Sequence, residues 1–176
     1  MLKEINGRKT SILIEATEIS LKVSELGKQI TEDYADKAPL IIGILKGGFI
    51  FLADLIRSIK LETEIDFIRV SSYKDEMNPG KIELVTDLSV PIINRDVLLV
   101  EDLLDTGGTL EFIRDYIISR QPASFKICTL INKRKARKVE TDLDYVGFEI
   151  EDKFIVGYGM DYAQEGRNFP DIYVVE

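Results

Sequence analysis

The stretch from position 97 to position 117 restricts this chain most. Four apolar residues, Val97 to Val100, run into Glu101-Asp102. Asp105-Thr106-Gly107-Gly108-Thr109 then opens a segment that carries Leu110, Ile113 and Ile117 at helical spacing. A short apolar run without polar alternation reads as a buried strand, and a strand feeding a helix is half of a crossover unit. The pattern recurs along the chain. Leu40 to Leu45 reads as a buried strand, Lys46-Gly47-Gly48 as its turn, and Phe51, Leu55 and Ile59 as one face of the next helix. Phe125 to Ile131 supplies a further buried strand. The alternation predicts an α/β fold, a mainly parallel sheet flanked by helices, with ligands gathering at the carboxyl ends of the strands.

Other elements are drawn from weaker signals. Ile19, Val23, Leu26 and Ile30 repeat at helical spacing after Thr17, which reads as an N-cap, so a helix is expected over roughly Glu18 to Tyr34 before the break at Pro39. Glu64 to Ser71 reads as a strand and Ile82 to Thr86 as another. Between them Tyr73 to Lys81 is polar and contains Asn78-Pro79-Gly80, so a mobile loop is expected there. With 176 residues, 45% of them hydrophobic, and no internal repeat or linker, the chain reads as a single domain.

Charge and composition exclude several chemistries. A net charge of −8 opposes binding of a polyanion by the whole molecule. No run of about 18 uncharged apolar residues occurs, so no membrane span is expected, and without a leader-like start the chain reads as cytoplasmic. Cys128 is the sole cysteine and sits in an apolar run, which suits a buried structural thiol. The chain has no histidine, so triads and metal sites that use imidazole are out. A metal used here would be oxygen-ligated, and Mg2+ fits that better than zinc.

The residues Asp105 to Thr109 combine successive backbone N–H groups, two glycines and two hydroxyls at a helix start, the makings of a phosphate cradle. An ordinary turn in which Asp105 or Thr106 merely caps the helix is an equal reading of those five residues. No lysine follows the second glycine at the spacing of a nucleoside triphosphatase loop. The adjacent Glu101-Asp102 pair favours a cradle, because two carboxylates at a strand end can hold sugar hydroxyls directly or through Mg2+.

Taken together, Val97-Leu98-Leu99-Val100-Glu101-Asp102-Leu103-Leu104-Asp105-Thr106-Gly107-Gly108-Thr109 resembles the phosphoribosyl pyrophosphate (PRPP) binding motif of type I phosphoribosyltransferases. The turn Leu45-Lys46-Gly47-Gly48 narrows the resemblance to hypoxanthine-guanine phosphoribosyltransferases. So do Asp144 to Ile150, Lys153 to Tyr158, and Lys133 upstream of them. The resemblance runs from Ile41 to Tyr173. It implies transfer of the 5-phosphoribosyl group from PRPP to hypoxanthine or guanine, with xanthine as a further candidate base, giving IMP or GMP and pyrophosphate in purine salvage.

The resemblance also distributes roles. Asp105, Thr106, Gly107, Gly108 and Thr109 would hold the 5-phosphate, with Asp105 also managing the purine N7 proton. Lys46, Gly47 and Arg167 would serve pyrophosphate, where the lysine supplies a point charge and the glycine lets backbone N–H groups approach oxygen. Ser72-Tyr73 would sit on a loop closing over the reaction centre, although Lys74 stands where bacterial members commonly have glycine. Lys133 would donate to the purine 6-oxo group, Phe154 would stack on the ring and the Ile155 backbone would read its edge. Glu101, Asp102 and Asp161 would hold Mg2+. A small hood over the purine is expected from about 144–176 and the N-terminal segment, and the family suggests a homodimer or homotetramer.

The basic run Asn132 to Lys138 leaves a second reading open, a PRPP-sensing regulator of the same fold that binds nucleic acid. A solvated face is the reading preferred here, and no nucleic-acid partner is expected.

Overall fold

The computed structural model describes residues 3–75 and 78–176, without the side chains of residues 3 and 72–81. In chain order the elements are β1 (Lys3–Ile5), β2 (Arg8–Ile14), α1 (Ala16–Asp33), β3 (Leu40–Leu45), α2 (Phe49–Ser58), β4 (Glu64–Asp75), β5 (Asn78–Thr86), β6 (Asp96–Leu104), α3 (Gly108–Ile118), β7 (Ser124–Asn132), a 3-10 turn (Arg134–Ala136), β8 (Tyr145–Glu149), β9 (Ile155–Val156) and β10 (Ile172–Val175).

Six strands form the central sheet in the order β5-β4-β3-β6-β7-β8, every pair parallel except β4 with β5. β3 and β6 lie in the middle, where both faces are covered, and this is why they carry unbroken apolar runs. On one face Ile41, Leu98, Val100 and Cys128 pack with Ile19, Val23 and Leu26 of α1 and Phe51, Leu52 and Leu55 of α2. On the other face Leu40, Ile42, Val97 and Leu99 meet Leu110, Ile113 and Ile117 of α3. Each fully buried aliphatic side chain contributes about 1.5–3 kcal/mol, and truncating Ile113 to alanine is expected to cost roughly 2–5 kcal/mol. Cys128 is buried, and the apolar surroundings push its thiol well above its ordinary range.

A second sheet, β1-β2-β10-β9, is antiparallel and joins the two ends of the chain. Tyr145–Glu149 belongs to the central sheet as its edge strand, beside β7. Among the described residues no helix is long and apolar enough to cross a membrane.

Three boundaries differ from the sequence expectation. The cap of α1 is Glu15 rather than Thr17, its backbone N–H donating to Glu18 Oε2 at 3.0 Å; the next N–H, of Ala16, donates to Asp171 Oδ1 at 2.9 Å. A capping carboxylate from the far end of the chain leaves no local sequence signal. β6 does not stop before the acidic pair but runs through it to Leu104, held by β7 as far as Leu104 opposite Asn132. The segment expected as a loop contributes to both strands of a long hairpin, with Asp75 opposite Asn78 and Lys74 opposite Pro79. Polarity misleads there because β5 is an edge strand, and an edge tolerates polar residues and a proline without an N–H. The backbone of Ser72 and Tyr73 lies in β4, but their side chains fall outside the described set.

Candidate active site

The carboxyl ends of β3, β6 and β7 point to the same edge of the central sheet, and the turns that leave them build one cavity. It encloses about 330 Å3 and is lined by Lys46, Gly47, Glu101, Asp102, Asp105, Lys133, Phe154, Ile155, Asp161 and Arg167, with Leu103 and Met160 between them. A smaller hollow of about 120 Å3 adjoins it, sharing Glu101, Leu103 and Asp105 and adding Thr106, Gly107 and Thr109. Gly108 starts α3 but lines neither space. The larger cavity has an apolar end suited to a flat ring and a charged end suited to phosphate oxygens.

The smaller hollow lies at the N-terminus of α3. Gly107 is the N-cap of α3 with φ +92°, a left-handed conformation that favours glycine, and Glu111 N–H donates to its carbonyl at 2.9 Å. No side chain caps this helix. Asp105 therefore is not the cap that the sequence left open, and its carboxylate turns instead toward Lys133. A helix start with unpaired first-turn N–H groups and the positive end of the helix dipole is chemically suited to an anion.

Lys133 is 4% exposed, with Nζ 3.4 Å from Asp105 Oδ2 and 3.7 Å from Asp152 Oδ1. Its backbone N–H donates to Leu104 O, and Lys138 N–H to Thr106 O, both at 3.0 Å, so the loop after β7 hangs on the loop after β6. The basic run is thus not uniformly solvated. Lys133 faces the cavity, and Arg137 donates to Asn132 Oδ1 and the Thr141 carbonyl, while Arg134, Lys135 and Lys138 are exposed.

The acidic pair forms one wall. Glu101 as a residue is half-buried, but its Oε2 is buried and has no hydrogen-bond partner. Burial, followed by the neighbouring Asp102 charge, pushes the Glu101 carboxyl well above the usual carboxylate range. Burial also raises Asp102, opposed by its hydrogen bond with Glu101, by the backbone N–H groups of Asp102 and Leu103, and by Arg167. Two carboxyl groups this close, with an unpartnered oxygen, suit a hard divalent cation. Among the described residues no group of three or more acidic or thiol side chains converges as a metal cage. Mg2+ does not require one, since it usually keeps several waters and binds through one or two carboxylates together with substrate phosphates. Asp161 is bound to Arg167, Oδ1 to Nη2 at 2.6 Å, and Arg167 Nη1 donates to the Gly159 carbonyl at 2.8 Å.

Lys46 is exposed and, among the described residues, has no ion-pair partner. Gly47 beside it has no room for a side chain, since a Cβ there would lie 2.1 Å from Asp102 Oδ2. Phe154 is 51% exposed at the cavity mouth, edge-on to Tyr162 with centroids 5.3 Å apart, and Ile155 is buried in β9 opposite Val174. Sequence reasoning missed Leu103 and Met160, which have no chemistry to announce them, and Asp152, which reads as one acid in a polar turn.

Comparison with known proteins agrees with this geometry. The phosphoribosyl transferase domain family matches residues 10–163. The chain is 44% identical to a hypoxanthine-guanine phosphoribosyltransferase of Aquifex aeolicus, covering 99% of each, and 42% identical to a hypoxanthine phosphoribosyltransferase of Escherichia coli, covering 92% of each. Among solved structures, a hypoxanthine-guanine phosphoribosyltransferase of Bacillus anthracis superposes with a TM-score of 0.87 at 44% identity over 94% of this chain and 97% of that one. A hypoxanthine phosphoribosyl transferase of Trypanosoma cruzi superposes with a TM-score of 0.91 at 34% identity, covering 99% of this chain and 94% of that one.

Proposed function

The chain belongs to the phosphoribosyl transferase domain family, and from that premise we infer that it serves purine salvage, moving the 5-phosphoribosyl group of PRPP onto hypoxanthine or guanine. The observation that carries the base assignment is Lys133, a buried ammonium facing the same cavity as Phe154 and 3.4 Å from Asp105. An ammonium there is matched by a ring 6-oxo group, an acceptor, and opposed by a 6-amino group, a donor.

In this reading the purine lies between Phe154 and the apolar wall, its 6-oxo group accepting from Lys133 and its edge read by the Ile155 backbone. Residues 3–5, 8–14, 155–156 and 172–175, the strands of the second sheet, supply the hood that covers it. Thr106, Gly107, Gly108 and Thr109 hold the 5-phosphate at the start of α3. Purine N9 attacks the anomeric carbon as pyrophosphate leaves toward Lys46, Gly47 and Arg167, and Asp105 takes the proton at N7. Catalysis is mostly positioning and electrostatics. The segment carrying Ser72 and Tyr73 would close over the reaction centre. Glu101 and Asp102 would hold Mg2+, with Asp161 assisting from its pairing with Arg167 rather than as a third member of a cage; when bound, the ion supplies charge neutralisation for the pyrophosphate oxygens. The protein works as a homodimer or homotetramer in the cytoplasm.

A panel of hypoxanthine, guanine, xanthine and adenine with PRPP and Mg2+ tests the reading, following nucleotide and pyrophosphate together. Turnover is expected with the 6-oxopurines and not with adenine, and excess chelator is expected to abolish it. Equal use of adenine would sink the role of Lys133.

A further inference from the structure

Lys133 has two carboxylate partners where pairing one cation needs only one. Its Nζ lies 3.4 Å from Asp105 Oδ2, at the end of β6, and 3.7 Å from Asp152 Oδ1, in the turn just before Phe154. The two acids are unlike in their surroundings. Asp105 lines both the ring cavity and the phosphate hollow, whereas Asp152 lines neither and its side chain is 65% exposed. An ammonium has three N–H donors, enough for both carboxylates and one acceptor on a bound base.

The reaction disturbs this arrangement at one moment. As the N9–C1′ bond forms, the C1′–O bond to pyrophosphate breaks and its electron pair leaves with the pyrophosphate. The N7–H bond breaks with its electrons staying in the ring, and the proton passes to an Asp105 oxygen. Asp105 is then neutral, and a buried ammonium that relied on it alone would lose its counter-charge. We propose that Asp152 is a positioning residue, the second counter-ion that keeps the Lys133 ammonium at the purine 6-oxo group while Asp105 gains and loses its proton.

This rests on the reaction assigned above and extends it to a residue with no contact to the reacting atoms. The other charged groups nearby do not take the role. Glu151 of the same turn is paired with Lys153 at 3.6 Å, and Asp161 with Arg167. Glu101 and Asp102 form the acidic wall of the cavity, assigned above to Mg2+. Lys46 and Arg167, which also line the cavity, are cations.

The test compares the whole wild-type chain with Asp152→Asn and Asp152→Glu, using hypoxanthine, PRPP and Mg2+ in steady-state and single-turnover measurements. Wild-type turnover is the first arm, and its absence would defeat the assigned reaction whatever the variants do. Before proton transfer Asp105 still holds Lys133, so the KM values of base and PRPP are expected to stay within about twofold. The single-turnover rate and kcat/KM for the base are expected to fall together by about tenfold, the mark of an interaction that matters in the transition state. Asp152→Glu is expected to recover most of the rate, and the melting temperature to hold, since Asp152 is mostly exposed and Asp105 still pairs Lys133 in the unreacted protein. An unchanged single-turnover rate would overturn the proposal. So would a loss confined to the base KM, or a rate loss that glutamate does not rescue.

Discussion

The turn after β3 and the turn after β6 leave neighbouring parallel strands at the same edge of the sheet, and each carries a Gly-Gly pair where a helix starts. Their glycines answer different needs. In the first turn, Gly47 is glycine because of crowding, since a Cβ there would run into the Asp102 carboxylate. In the second, Gly107 is glycine because of its left-handed φ of +92°, and Gly108 stands in open space, a Cβ there meeting nothing nearer than Ile82 Cδ1 at 4.0 Å. One signature thus marks a packed clamp in one place and an accessible cradle in the other.

Four substitutions test that contrast, in falling order of effect. Asp105→Asn, at the head of the open turn, is expected to lower the single-turnover rate by roughly 10²–10⁴ with the melting temperature nearly unchanged, because the carboxylate neither caps α3 nor is fully buried. A rate near wild type would leave this turn with phosphate binding alone. Gly47→Ala is expected to lose both stability and activity, since its Cβ would drive the Asp102 carboxylate from its place. Overpacking of this kind costs about 1–3 kcal/mol, visible in urea unfolding, and kcat/KM should fall with it. Full activity in that variant would dissolve the distinction between clamp and cradle.

Gly107→Ala is expected to cost roughly 1–2 kcal/mol for the left-handed conformation, with some crowding against the Val139 carbonyl at 3.2 Å. Its activity loss should lie mainly in the KM for PRPP. Gly108→Ala is the mildest. Calorimetry should find the protein unchanged or stabilised by about 0.4–1 kcal/mol through a less flexible unfolded chain, with a modest rise in PRPP KM if the first-turn amides meet the phosphate closely. A large destabilisation would mean that the second turn is as crowded as the first.

How much of this could be read beforehand followed from how local the cause was. The β3 and β6 runs and the face of α3 were legible because burial on both faces of a sheet, or along one face of a helix, dictates residue type position by position. The long hairpin was not, because an edge strand is held by backbone pairing that polar side chains neither require nor forbid. The pairing of β2 with β10 joins residues 10–14 to residues 172–175, and no local pattern encodes a partner so distant. In the site, the residues with chemistry were named from their motifs, and the structure gathers all of those with described side chains except Gly108 around the two adjoining spaces. Asp152 escaped because its meaning depends on its approach to Lys133, a residue distant in the chain.

The meeting of Gly47 and Gly159 also bears on how such a site is found by mutagenesis. A Cβ on Gly159 would lie 2.1 Å from the Gly47 carbonyl oxygen, backbone against backbone, with no flexible side chain able to yield. An alanine scan scored only by lost turnover would therefore place this glycine among the acids and lysines that do the chemistry, although it has no group that could take part. Turnover read against folded yield would tell the two apart.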